Sequence, residues 1–162
     1  MKSIEFIVET HGGVWRLIRS MVPQHWPDYV VKDWFYSRLT DPNHPVDKRN
    51  WIEWTLKEWP VRQWKLETLE LGFHSFDSRT QGNILKRISE VNGLASDFIP
   101  RDAERHQAQK QLIQKTGQAN QEPIIVIYHK DGYELLEGWH RTIQNIQAFP
   151  NGYKAKAWVG YL

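Results

Sequence analysis

The sequence predicts an α+β fold in which a small mixed sheet with helices follows a helical N-terminal segment. Three observations support this prediction. Apolar residues recur at helical spacing through the first 60 residues, and seven of the nine tryptophans lie before residue 65. Runs typical of strands begin only after Pro60. Between those runs, segments of helical spacing continue almost to the C-terminus, so helices and strands share the second part of the chain.

Composition limits the class of protein. The 162 residues suit a modest core, and no apolar run approaches the roughly 18 residues that a membrane span requires. Acidic residues interrupt the apolar start of the chain, which argues against a secretory signal, so we expect a cytoplasmic protein that does not bind membranes. The absence of cysteine excludes disulfides, thiolate metal sites and cysteine nucleophiles.

The charge pattern gives weak support to nucleic-acid binding. The formal net charge is only +2, whereas proteins that bind nucleic-acid phosphates usually have a stronger basic balance or a basic stripe. The densest basic stretch runs from Lys86 to Lys115, but acidic residues are interspersed along it. We interpret this stretch as a solvated helix face.

The N-terminal segment, residues 1–60, is predicted to be helical and to pack on the main domain. Pro27 suits the first turn of a helix that continues to Leu39. The apolar residues of that helix fall on one face: Val30, Val31, Trp34 and Phe35. Large aromatic side chains bury much surface, so most of the tryptophans are predicted to form a packed layer. The alternative is a surface for a protein partner.

The main domain, residues 61–162, begins with a predicted strand, Trp64–Leu71, which has a bulge or bend near Glu67-Thr68. A polar loop follows, in which Asp77 or Ser78 can cap a helix from about Thr80 to Val91. A second, largely polar helix is predicted from Arg101 to Lys115, with Gly117 closing it.

The last 40 residues carry the clearest pattern. A continuous β-branched run, Pro123–Tyr128, predicts a buried strand, and Lys130-Asp131-Gly132 predicts a tight turn. The return strand Tyr133–Glu137 leads into a helix over Trp139–Phe149. The alternating segment Tyr153–Leu162 predicts a final strand.

The junction between the return strand and that helix is the candidate site. The N-terminus of a helix presents unpaired N–H groups and a positive dipole end, which favours an anion, and Gly138 permits close approach to the backbone. Arg141 offers a guanidinium suited to phosphate oxygens, His140 can donate a hydrogen bond or move a proton, and Thr142 adds a hydroxyl. Glu137 can orient the arginine, hold a ribose hydroxyl or act as a general base. A solvated first turn is the alternative interpretation.

These segments together resemble the ParB/sulfiredoxin superfamily. The resemblance rests on the apolar strand, the turn, the strand that ends in Glu137-Gly138, the helix that opens with His140-Arg141, and the final strand. The earlier Trp64–Leu71 strand, with Arg79 in the loop after it, is similar to the opening of that domain. The resemblance covers about 100 residues, and residues 1–60 lie outside it.

The resemblance implies a nucleotide site. It would place nucleotide phosphates against Gly138, His140 and Arg141, with Glu137 and Thr142 flanking them and Arg79 as a second phosphate contact. The implied ligand is ATP or CTP, with Mg²⁺ held largely through the phosphates. Arg141 is expected to contribute little to packing, because it stands in the first turn of a helix. Arg141→Ala is therefore predicted to abolish nucleotide affinity without loss of the fold.

The chain departs from the family in two respects. Trp139 stands where sulfiredoxins carry their catalytic cysteine, so the reduction of sulfinic acids is excluded. The helix-turn-helix module and dimerising tail of the chromosome-segregation members have no counterpart in this sequence. The small, stand-alone domain would suit a phage protein.

Three functions remain open from the sequence. The first is a small ATP- or CTP-dependent phosphotransferase or nucleotide hydrolase, with Glu137 and His140 as the catalytic residues. The second is a DNA-binding or nuclease-type ParB-like protein, although two-metal cleavage requires converging carboxylates, and the sequence shows none at convincing spacing. The third is a non-catalytic module that interacts with a protein partner through the tryptophan-rich helices.

Overall fold

The structure is a computed structural model that describes residues 15–41, 50–91 and 100–162. The helices, numbered in chain order, are α1 Trp15–Met21; α2, which comprises Asp28–Val30, a π-helical part Val31–Tyr36 and Ser37–Thr40; α3 Trp51–Glu58; α4 Ser78–Val91; α5 Pro100–Thr116; and α6 Trp139–Ala148. The strands are β1 Gln63–Leu71, β2 Ile124–His129, β3 Gly132–Glu137 and β4 Tyr153–Tyr161, and a 3-10 turn covers Phe73–Ser75. These elements confirm the predicted α+β class. No helix in the described ranges is long and apolar enough to cross a membrane.

The described residues form two compact units. One holds the residues up to Trp64 together with Gly160–Leu162, and the other holds Lys65–Val159. The division lies after Trp64, whereas the sequence pattern places it after residue 60. The predicted N-terminal segment is described only in part, because residues 1–14 and 42–49 lie outside the described ranges.

The first unit is built around aromatic side chains. Trp26 stacks on Trp34 with ring centroids 5.9 Å apart, and it meets Phe35 and Trp64 edge to face at 5.5 and 5.2 Å. These four side chains are buried, so the expected role of tryptophans as core is confirmed for Trp26, Trp34 and Trp64. Trp54 differs, because half of its surface (51%) is exposed.

The sheet has four strands in the order β1-β4-β2-β3. Strands β2 and β3 form the predicted antiparallel hairpin, in which His129 stands opposite Gly132. The β-branched residues Ile124–Ile127 are buried, as the continuous apolar run predicts. In β4, burial alternates along the strand, and Tyr153 lies inward with its hydroxyl buried. That burial raises the pKa of Tyr153 well above its ordinary value.

The polar loop before α4 is joined to the edge strand β3. Phe76 makes an isolated parallel bridge with Tyr133, and the Asp77 N–H donates to the Tyr133 carbonyl at 2.9 Å. One turn later, the buried Thr80 hydroxyl accepts a hydrogen bond from the Leu135 N–H at 3.1 Å. The Asp77 carboxylate caps α4 by accepting from the Thr80 N–H at 2.8 Å, which confirms one of the two predicted caps. The loop therefore extends the sheet beyond β3.

Candidate functional site

A left-handed glycine connects β3 to α6. Gly138 has φ +99° and ψ 28° and occupies the N-cap position of the helix. A Cβ at this residue would lie 2.6 Å from the Cγ2 atom of Ile124, on the neighbouring strand β2. Both the backbone conformation and the packing require glycine here. The absence of a side chain therefore has a structural cause that is independent of any ligand.

No side chain caps the first turn of α6. The Thr142 N–H donates to the Gly138 carbonyl at 2.9 Å, which is the first hydrogen bond of the helix. Gly138 has no side chain to cap the turn, and no side-chain hydrogen bond is present at the cap. The N–H groups at the start of a helix that lack an intrahelical partner are those that bind anions.

Arg141 is held inside the protein and does not extend into solvent. Its Nη2 donates to the Pro123 carbonyl at 2.9 Å, and its Nη1 lies 3.6 Å from the Oε2 atom of Glu122. Only 13% of the side chain is exposed. The expectation that Arg141 contributes little to packing is wrong, because the guanidinium ties the first turn of α6 to the segment that enters β2.

His140 lies beside a second histidine. The rings of His140 and His106, the latter on α5, meet edge to face with centroids 4.7 Å apart. His106 is buried, and its Nδ1 lies 3.2 Å from the Nε2 atom of Gln144. Sequence reasoning missed His106, because α5 and α6 are separated along the chain and a single polar helix gives no sign of the neighbour that it meets.

A basic side chain also reaches the first residue of α6. The guanidinium of Arg87, on α4, lies over the Trp139 ring at 4.7 Å from the centroid, which is cation–π geometry. Arg87 belongs to the basic stretch that the sequence indicated as a solvated face. The structure corrects that interpretation for this residue, because the arginine packs on the helix start.

The other predicted site residues occupy different surroundings. Glu137 is the last residue of β3 and is half-buried. Thr142 is 1% exposed, and its hydroxyl finds no hydrogen-bond partner within the described part of the chain, so it belongs to the core. Arg79 is exposed in the first turn of α4. Glu137, Gly138 and His140 lie next to one another at the junction, and the side chains of Arg141 and Thr142 are largely buried beside them.

A cleft of about 620 Å³ lies between α5 and α6. Its lining is rich in amide and basic side chains, which include His106, Gln107, Lys110, Gln114, Gln144 and Gln147. His106 lines the cleft and its ring contacts His140, whereas the residues of α6 that line the cleft are Gln144, Gln147 and Ala148, in the later turns of the helix. Its volume lies within the range of small-molecule sites.

In the comparisons with known proteins, no family model matches the chain, and no curated protein or solved structure gives a significant match. The resemblance of residues 61–162 to the ParB/sulfiredoxin superfamily therefore stays a prediction from the sequence.

Proposed function

We propose that the unit Lys65–Val159 binds a nucleotide, with the phosphates at the N-terminus of α6, in a domain of the ParB/sulfiredoxin type. One observation carries this proposal. Gly138 turns the end of β3 into α6 in a left-handed conformation, so the first turn begins without a capping side chain. Its N–H groups and the positive end of the helix dipole are the elements that bind phosphate in other nucleotide sites.

The surroundings add positive charge and hydrogen-bond donors. Arg87 is held against Trp139, and His140 stands in the first turn itself. The two side chains supply a guanidinium and an imidazole near the proposed phosphate position. In this proposal Arg141 is a positioning residue: its bond to the Pro123 carbonyl holds the helix start against β2.

The cleft between α5 and α6 favours a nucleotide over free phosphate. Its glutamines carry both a donor and an acceptor, which is the chemistry that the edge of a base requires. ATP or CTP is the proposed ligand, and Mg²⁺ is brought largely through the phosphates. Glu137, at the end of β3, is the carboxylate available as a general base if the bound nucleotide is turned over.

A negative charge introduced in the first turn tests the site, and the substitution also replaces the His140 ring that contacts His106. In His140→Glu, the carboxylate should repel phosphate, while an acidic residue near a helix N-terminus stabilises the helix by about 0.3–1 kcal/mol. We expect His140→Glu to keep the fold and to weaken nucleotide binding at least about tenfold, equivalent to about 1.4 kcal/mol. Titration calorimetry and thermal shift with ATP, ADP, CTP and GTP, each with Mg²⁺, measure the effect.

Gln111→Glu is the matched control, because it makes the same change in formal charge at an exposed position of α5. It should bind nucleotide like the wild type. A nucleotide present at about 100 times its dissociation constant should stabilise the wild type by roughly 2.7 kcal/mol. The proposal fails if no nucleotide stabilises the wild type, or if His140→Glu and Gln111→Glu bind equally well.

A further inference from the structure

A second group of side chains lies at the turn of the β2–β3 hairpin. Asp77, His129 and Glu134 bring one potential ligand atom each to within 4.8 Å of one another, and all three residues are partly buried. His129 and Glu134 meet directly, with His129 Nε2 at 2.9 Å from Glu134 Oε1. This metal triad, as we call it, uses none of the residues proposed for the nucleotide.

The sheet register explains how two members of the triad meet. His129 pairs with Gly132 and Ile127 pairs with Glu134, so His129 and Glu134 occupy diagonal positions on the same face of the hairpin. The third member comes from the loop before α4. The Asp77 N–H bond to the Tyr133 carbonyl places Asp77 beside the edge strand. Three separate segments thus deliver the three donors.

We propose that the metal triad binds one divalent transition-metal ion, with Zn²⁺ as the best match. An imidazole and two carboxylates form a mixed set of nitrogen and oxygen donors, and imidazole favours zinc and its neighbours over Mg²⁺ or Ca²⁺. Two carboxylates with a neutral imidazole carry the charge of −2 that balances the ion. Three protein donors leave a coordination position for solvent or for a substrate oxygen.

The donor atoms lie near the spacing of a zinc site. In a tetrahedral zinc site with bonds of about 2.0–2.1 Å, the donor atoms stand about 3.4 Å apart. The triad holds its donors within 4.8 Å of one another, and its closest pair, His129 Nε2 and Glu134 Oε1, would have to separate from 2.9 Å. Glu134 is 13% exposed and His129 is 31% exposed, which reduces the competition from bulk water.

Asp77 can bind the ion and cap α4 at the same time. Its Oδ1 accepts from the Thr80 N–H at 2.8 Å, and the carboxylate has a second oxygen to offer. A hydrogen bond to the oxygen that does not bind the metal orients a metal-binding carboxylate. The helix cap would then serve as outer support for the site.

The test is a titration of the full chain, freed of metal by a chelator, with Zn²⁺ and in parallel with Co²⁺, in the absence of nucleotide. We expect one equivalent to bind to the wild type, to raise the melting temperature and to give a visible Co²⁺ absorption spectrum. His129→Gln and Glu134→Gln should each weaken binding at least about tenfold. His74→Gln, at an exposed histidine, is the matched control and should bind like the wild type.

Three outcomes would overturn the proposal. The first is that the wild type binds no single equivalent of Zn²⁺ or Co²⁺. The second is that His129→Gln and His74→Gln bind the metal with equal affinity. The third is that Glu134→Gln gives the same Co²⁺ spectrum as the wild type. If the triad variants fail to fold in chelator, the wild-type stoichiometry and Co²⁺ spectrum decide alone. Because no nucleotide is present and His140 is untouched, the result is separate from that of the nucleotide proposal.

Discussion

Gly132→Ala should lower the free energy of unfolding by roughly 2–6 kcal/mol. Gly132 has φ +140°, a conformation that side-chain-bearing residues rarely adopt. Its Cβ would lie 2.7 Å from the Phe76 carbonyl carbon and 2.8 Å from both the Phe76 oxygen and the Asp77 nitrogen. These are backbone atoms, which cannot move aside as a flexible side chain can. Backbone strain and overpacking each contribute about 1–3 kcal/mol.

Gly82→Ala is the matched control for that substitution. Gly82 lies in the exposed interior of α4, and a Cβ there would meet nothing within 4 Å. Alanine should raise stability by about 0.5–1 kcal/mol, because it lowers the backbone entropy lost on folding. Denaturant unfolding followed by far-UV circular dichroism measures both variants. Similar midpoints for Gly132→Ala and Gly82→Ala would show that the loop yields to the added methyl group.

Arg141→Ala should reduce the free energy of unfolding by about 1.5–3 kcal/mol, the cost of removing a hydrogen bond from a charged donor. The substitution removes the Nη2 bond to the Pro123 carbonyl and empties the space of a side chain that is 13% exposed. A weaker nucleotide complex in this variant would follow from the displaced helix start. For this reason the nucleotide test uses His140.

Glu122→Gln separates the hydrogen bond of Arg141 from its ion pair. The Glu122 side chain is 54% exposed and stands 3.6 Å from the guanidinium, and exposed ion pairs contribute about 0–1 kcal/mol. Glu122→Gln should therefore change stability by less than about 1 kcal/mol. Denaturant unfolding of the two variants side by side is the measurement. If Glu122→Gln lowers the free energy of unfolding as much as Arg141→Ala does, the ion pair, and not the hydrogen bond, provides the stabilisation.

Local patterns predicted the second unit well. Three patterns depend only on residues close together in the sequence: the apolar run before residue 129, the turn at Lys130-Asp131-Gly132 and the helical spacing after Gly138. The structure has the hairpin and α6 that these patterns predict. The cap at Asp77 was predicted for the same reason. In β1, the Leu66 side chain is 51% exposed, although an apolar leucine in a strand would be expected to face the core. Which strand residues face the core depends on the strands beside them.

The roles of the site residues depended on distant neighbours, so the sequence did not reveal them. Gly138 is a glycine because Ile124 packs against it, and Arg141 is internal because the Pro123 carbonyl lies within its reach. Nothing near Arg87 in sequence indicates that it covers Trp139. The metal triad was not predicted for the same reason, because the hydrogen bond of the Asp77 N–H to the Tyr133 carbonyl brings Asp77 beside β3.

The docking of the loop before α4 on β3 also has a consequence for the order of folding. The hydrogen bond between Thr80 and Leu135 joins residues 55 positions apart, whereas His129 and Glu134 are only five apart. Closing the longer loop costs more chain entropy, so the hairpin can form before the loop docks on it. An ion that needs Asp77 as well as the hairpin would meet its full set of ligands only after this late step. Zinc would then act chiefly by slowing unfolding, because its ligand set is completed last in folding and is lost first in unfolding.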